Sequence, residues 1–154
     1  MKKNHSLLAM TLLGAFTLFN QFQTFAQRSV RGNGNVTSIE HDVKAFSTLE
    51  IDGVFNAFIK QGEKESVTVE TDENLHEYVR IESKGKTLTI STRKRINFRK
   101  KNRMNIYITI RDIDKLKLSG VGNVETENML HLSALDLRIK CVGNVSLNLE
   151  VEDL

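Results

Sequence analysis

The chain has 154 residues and a mass of 17.5 kDa, room for one ordinary domain. It carries 22 basic and 19 acidic side chains, no proline, no tryptophan and a single cysteine. This excludes a proline-rich stalk, an intrachain disulfide scaffold and a cysteine-cluster metal site, while the pI near 9.0 raises nucleic acid as a partner.

Residues 1–26, MKKNHSLLAMTLLGAFTLFNQFQTFA, read as an export signal. Lys2 and Lys3 form the positive start, Leu7 to Phe19 a 13-residue apolar run, and Thr24-Phe25-Ala26 ends on the small residue that signal peptidase requires. The run is shorter than the roughly 18–20 residues of a spanning helix, and no cysteine near the cleavage point supports a lipid anchor. The expectation is an exported protein, periplasmic, outer-membrane associated or extracellular, with no transmembrane span after cleavage. The remaining 128 residues, Gln27 to Leu154, form one domain with 20 basic and 19 acidic side chains, close to neutral.

From Gln27 onward the pattern alternates with period two. Val67-Val69, Leu88-Ile90, Ile106-Ile108-Ile110, Leu116-Leu118 and Leu147-Leu149-Val151 interleave with polar neighbours, as half-buried strands do. Asp52-Gly53, Gln61-Gly62, Lys84-Gly85 and Gly122-Asn123 supply turn chemistry between them. One helical turn is predicted, at Glu73 to Tyr78, where Leu75 and Val79 stand four apart.

A repeat overlies the alternation. Leu49 to Asn56 (LEIDGVFN), Leu116 to Asn123 (LKLSGVGN) and Leu137 to Asn144 (LRIKCVGN) share L-x-[I/L]-x-[G/C]-V-x-N. The last two copies lie 21 residues apart, the length of one coil of a β-solenoid whose coils bury their apolar faces on one another. Stacking then sets Val121 beside Val142 and Asn123 beside Asn144. The first two copies are 67 residues apart, a gap that holds about three coils and an insertion. The repeat-defining positions are Gly53, Asn56, Gly120, Gly122, Asn123, Cys141, Gly143 and Asn144. If the strands run straight, Gly120 and Cys141 point inward; if G-x-G is a corner, a glycine there takes positive φ. Cys141 in the place of Gly120 speaks against positive φ at that position. As a small core side chain Cys141 needs no disulfide partner; intermolecular pairing is the other reading.

The residues Gly32-Asn33-Gly34-Asn35, Phe46-Ser47-Thr48-Leu49-Glu50-Ile51 and Ser119-Gly120-Val121-Gly122-Asn123-Val124 carry a family pattern. Over about residues 32–151 the chain resembles the head GIN domain family, exported bacterial proteins common in Bacteroidota and described as auto-transporter adhesins. The resemblance implies a right-handed parallel β-helix-like fold, a cell-surface or periplasmic address and no catalysis. It brings no binding residues. Cys141 departs from the family glycine, and similar proteins run on through further coils beyond the point where this chain ends, at Val151-Glu152-Asp153-Leu154. Three readings of that end stand open: a fragment, an edge guarded by acidic residues, or an edge covered by another chain.

Local signatures for chemistry are absent. His5, His41, His76 and His131 lie far apart, so no metal ligand set is expected, and no cofactor. The glycine motifs precede no helix that binds phosphate. The acids Glu50, Asp52, Glu125, Glu127, Asp136 and Glu150 are spaced as residues on a strand exterior. The sharpest feature is Arg93 to Arg103, RKRINFRKKNR, with basic residues Arg93, Lys94, Arg95, Arg99, Lys100, Lys101 and Arg103 between two predicted strands. It reads as the tip of a hairpin, a candidate anion-binding loop to which Ile96 and Phe98 add an apolar anchor. Without those seven charges the remainder from Gln27 has net charge −6. The alternative is a solvated loop that discourages edge aggregation.

The sequence therefore predicts an all-β, right-handed parallel β-solenoid with a basic hairpin insertion. Its expected role is a non-enzymatic adhesin contacting anionic glycans, lipopolysaccharide or another envelope protein. Specific nucleic-acid recognition is not expected, since interleaved stacking aromatics are missing. The second reading is an envelope structural module that self-associates through its C-terminal edge, and the third a carbohydrate-active β-helix enzyme.

Overall fold

Alternation becomes strand nearly everywhere in the computed structural model, which describes residues 28–93, 96–98 and 104–153. The export signal, and Lys94, Arg95, Arg99, Lys100, Lys101 and Arg103 of the basic run, lie outside the described residues. In chain order the strands are β1 (Arg28–Val30), β2 (Val36–Asp42), β3 (Thr48–Val54), β4 (Asn56–Gln61) and β5 (Ser66–Asp72). The predicted turn follows as a 3-10 helix, Glu73–Tyr78, with Leu75 fully buried. Then come β6 (Val79–Lys84), β7 (Thr87–Thr92), β8 (Ile96–Phe98), β9 (Met104–Ile110) and β10 (Lys115–Val121). The chain closes with β11 (Val124–Thr126), β12 (Leu130–Ala134), β13 (Asp136–Val142), β14 (Val145–Ser146) and β15 (Leu149–Asp153).

Two large sheets face each other across the core. One has the order β13-β10-β3-β7-β6, the other β14-β11-β4-β9-β5-β2, and β12-β15 and β1-β8 form two small ribbons. Leu49, Leu88 and Leu116 share one buried row of the first sheet, and Ile51, Ile90 and Leu118 the next. Ala57, Ile59, Val67, Val69, Ile106 and Ile108 answer them from the second. Strand β9 buries every second residue, Met104 through Ile110, as its alternation requires.

The all-β expectation holds, but the parallel β-solenoid does not. Each large sheet is mixed: β6–β7, β2–β5 and β5–β9 are antiparallel, while the remaining ladders are parallel. The reason is local. Only Gly85 and Lys86 separate β6 from β7, and a two-residue link can join only antiparallel neighbours. Gly85 supplies the positive φ, +60°, of such a hairpin turn.

The basic hairpin is overturned as well. Strands β7 and β9 flank the run but belong to different sheets, so the run is a crossover; its short strand β8 pairs in parallel with β1. Nor do three coils fill the 67-residue gap. Strand β3 lies directly against β10, Leu49 opposite Leu116, and the intervening chain builds the opposite side of both sheets before returning.

Candidate functional site

The repeat pattern resolves into a corner that joins the two large sheets. Strand β3 crosses to β4 at Phe55, β10 to β11 at Gly122-Asn123, and β13 to β14 at Gly143-Asn144. Gly122 and Gly143 have φ of +146° and +148°. A Cβ on Gly122 would stand 1.6 Å from the Phe55 carbonyl oxygen, and one on Gly143 1.9 Å from that of Gly122. Glycine is demanded twice, by conformation and by the close approach of stacked backbones. Gly120 also has positive φ, +112°, with its Cβ position 1.9 Å from the Gly53 carbonyl oxygen. The argument from Cys141 against positive φ there is thus corrected. Gly53 is forced by packing, since the Phe55 ring and Thr92 occupy its Cβ space. Cys141 is a free, half-buried thiol beside Gly120 and Phe55 around a small gap.

Asparagine closes each corner. The Asn56 side-chain oxygen accepts from the Asn123 N–H at 3.3 Å, and the Asn123 side-chain oxygen from the Asn144 N–H at 3.3 Å. The Asn56 amide donates to Asn105 Oδ1 at 3.2 Å, and Asn105 Nδ2 to Glu70 Oε1 at 2.9 Å. Asn105, absent from the predicted set, is thus a fourth member. Its copy of the repeat reads Leu88-Thr89-Ile90, breaks off after Thr92, and resumes at Asn105-Ile106. The basic run is inserted at the corner where the other copies use one or two residues.

Arg93, the described member of the basic set, marks where that insertion leaves the sheet. Its N–H donates to the Tyr78 carbonyl at 2.8 Å and its guanidinium carbon lies 5.9 Å from the centre of the Tyr78 ring. Phe98 meets the same ring edge-on, centroids 6.2 Å apart, and packs on the core. Its ring is therefore spent on the protein and is no free anchor for a ligand. Arg80, missed in the sequence, joins Arg93, Ser91, Thr92 and Asp52 around an open cleft of about 300 Å³. Two arginines and two hydroxyl-bearing residues line it, with one acidic residue. The only sequence hint was alternation within Val79-Arg80-Ile81, which sets Arg80 across from Ser91 on the outer face.

The acids on the outer faces are mostly partnered. Lys117 Nζ lies 2.5 Å from Glu50, and Asp136 takes Lys115 at 3.1 Å and Arg138 at 3.2 Å. The Arg138 hydrogen bonds, followed by that of Lys115, hold the Asp136 carboxyl below its ordinary value, and Arg138 is raised in turn. Asp52 accepts from Ser119 Oγ at 3.0 Å, and Glu150 meets His131 Nδ1 at 2.7 Å. His76 bonds Thr37, and His41 lines a separate cleft of about 370 Å³ with Ile39 and Ile81. Among the described residues no three His, Cys, Asp or Glu side chains gather to hold a metal ion, and no helix is long and apolar enough to cross a membrane.

The opening Gly32-Asn33-Gly34-Asn35 is a docked turn. Buried Asp72 accepts from the Gly34 N–H at 2.6 Å, and its carboxylate fills the space that a Cβ on Gly32 would need. Asn74 Oδ1 accepts from the Asn33 N–H at 2.9 Å, and Asn35 and Glu73 bond reciprocally.

The family model described as "Putative auto-transporter adhesin, head GIN domain" matches residues 45–154. A "putative adhesin" from Bacteroides fragilis is 26% identical with a TM-score of 0.72, over 81% of this chain and 61% of that one. A "Putative lipid binding protein" from Parabacteroides distasonis is 18% identical with a TM-score of 0.68, over 82% and 55%. A "putative adhesin" from the same species is 22% identical with a TM-score of 0.60, over 80% and 61%. The chain thus spans about three fifths of the length of these solved proteins. No curated protein matches it. The match over residues 45–154 means that the chain belongs to the head GIN domain family, putative auto-transporter adhesins.

Proposed function

We propose that this chain is an exported, non-enzymatic adhesion domain that contacts anionic glycans or lipopolysaccharide through the basic insertion at residues 93–103. The observation that carries the reading is where the insertion sits. The rigid glycine-asparagine corner spends one or two residues at this point in the neighbouring copies, and here eleven, seven of them basic. Arg80 and Arg93 extend the positive charge from the insertion to the sheet surface. Many weak contacts between guanidinium or ammonium groups and carboxylates, sulfates or phosphates add cooperatively, with affinity that falls steeply with salt. Adhesion through such a patch asks for no catalytic group, in keeping with the adhesin description of the family.

The test is binding of the protein to immobilised anionic glycans and to lipopolysaccharide, beside a variant with Arg93, Lys94, Arg95, Arg99, Lys100, Lys101 and Arg103 changed to Gln. Binding at physiological salt that the variant loses supports the reading. No binding to either surface, or equal binding by the variant, overturns it.

A further inference from the structure

We propose that the cleft between strands β2 and β6 binds a fatty acid of about ten carbons, its chain on the apolar wall and its carboxylate at His41. These two strands are the members of their sheets farthest from β13 and β14, and the 3-10 helix Glu73–Tyr78 links β5 to β6 beside them. Ile39 and His41 lie directly opposite Val69 and Val67 and so share their core-facing side. On the other sheet Val79 and Ile81 lie opposite Thr92 and Ile90. Val67, Val69 and Ile90 are fully buried, yet Ile39, one strand further out, is 42% exposed. The core thus continues past its buried middle into an open cleft of about 370 Å³, lined by Ile39, Val69, Val79 and Ile81 together with His41 and His76.

The size and chemistry of the cleft select the ligand. One non-hydrogen atom takes about 30 Å³ of liquid water, so 370 Å³ holds about twelve such atoms, the number in decanoate. The apolar lining is aliphatic, which suits a flexible run of methylenes, and covering Ile39 and those methylenes removes apolar surface from water. The polar lining favours an anion: His41, His76 and Arg80 carry basic nitrogens, against one acid, Glu82. Arg80 and Glu82 alternate onto the outer face with Ser91 and Thr89, which leaves the two imidazoles as the polar groups on the core side. His76 is spent within the protein, its Nε2 lying 3.0 Å from the Thr37 hydroxyl and 3.3 Å from the Thr37 carbonyl. His41 is half-buried and has no hydrogen-bond partner among the described residues, so its ring N–H is free to donate to a carboxylate. The cleft is distinct from the one that Arg93 lines, with Arg80 at the rim of both.

Amide NMR of the isotope-labelled protein, titrated with decanoate, reads the site directly. Decanoate should saturate with a dissociation constant of about 1 mM or below, the shifts gathering at Ile39, His41, His76 and Val79 to Glu82. Acetate, which offers the carboxylate alone, should leave these signals in place at the same concentration. Ile39→Trp, which fills the cleft, and Ile39→Asp, which charges its wall, should each weaken binding at least about tenfold, with circular dichroism to confirm folding. Met129→Asp, at a side chain 43% exposed and outside the cleft, should not. His41→Leu should weaken decanoate at least about threefold and spare decanol, which separates a carboxylate contact from apolar filling. The variant with the seven insertion residues changed to Gln should bind decanoate as the wild type does, so failure of this site and failure of glycan binding are told apart. No saturable binding, or shifts that gather elsewhere, overturns the proposal. So does decanoate affinity that is unchanged in the Ile39 and His41 variants or lost in the insertion variant.

Discussion

The corner glycines hold the strongest single-residue constraints in the molecule. Gly122 combines φ of +146° with backbone 1.6 Å from where a Cβ would sit, so no side-chain rearrangement relieves a substitution. Gly122→Ala should cost on the order of 3 kcal/mol or more in chemical unfolding, beyond the 1–3 kcal/mol of conformational strain alone. Gly34→Ala meets no neighbour within 4 Å and should cost less, despite φ of +85°. Asp136 offers a test of a different kind. Its carboxyl is held low by Arg138 first and Lys115 second, so its titration midpoint by NMR should fall below 3.8. The stability linked to these contacts is complete above that ordinary value and fades as pH drops through the lower folded one. Arg138→Gln should move the midpoint back up while Lys115 keeps it from a full return.

At the scale of elements, the copies that stack without interruption were legible and the interrupted one was not. The pattern L-x-[I/L]-x-[G/C]-V-x-N placed β3, β10 and β13 in their register, because identical side chains must share rows in a parallel ladder. Leu88-Thr89-Ile90 and Asn105-Ile106 belong to the same series, but eleven residues inserted between them hid the fourth copy. The antiparallel strands were missed for a physical reason too. Alternation sets which face of a strand is buried and is silent on direction, which depends on links such as Gly85-Lys86. Of the candidate site, the basic run was plain from composition, whereas Arg80 reaches it only through the β6–β7 pairing. The insertion is fastened at its base by Tyr78, Arg93 and Phe98. A double-mutant cycle of Tyr78→Ala and Phe98→Ala, read by thermal unfolding, should give a coupling of about 0.5–1.5 kcal/mol, the value of an edge-to-face aromatic pair.

For the whole molecule, the described strands form two sheets whose middle is buried more completely than β13–β15. Leu49, Leu88 and Leu116 are fully buried, whereas Leu137, in the same row, is 39% exposed. Amide hydrogen exchange should therefore be slowest in β3, β4 and β9, which are paired on both sides, and faster in β13 to β15. Charge is as unevenly spread as burial. From Gln27 onward the net charge is only +1, while the eleven residues of the insertion hold seven basic side chains and the remainder is −6. Net charge alone predicts weak retention on an anionic matrix, and a local patch predicts strong retention. The salt concentration that elutes the protein from immobilised heparin separates the two. The wild type should elute late, and the variant with the seven insertion residues changed to Gln should pass through unretained. A control with Arg31, Lys44, Lys60, Lys64, Lys84, Lys86 and Arg111 changed to Gln, identical in net charge, should still elute late. If both variants elute together, the basic insertion is not the binding surface and the adhesion mechanism proposed for this chain is wrong.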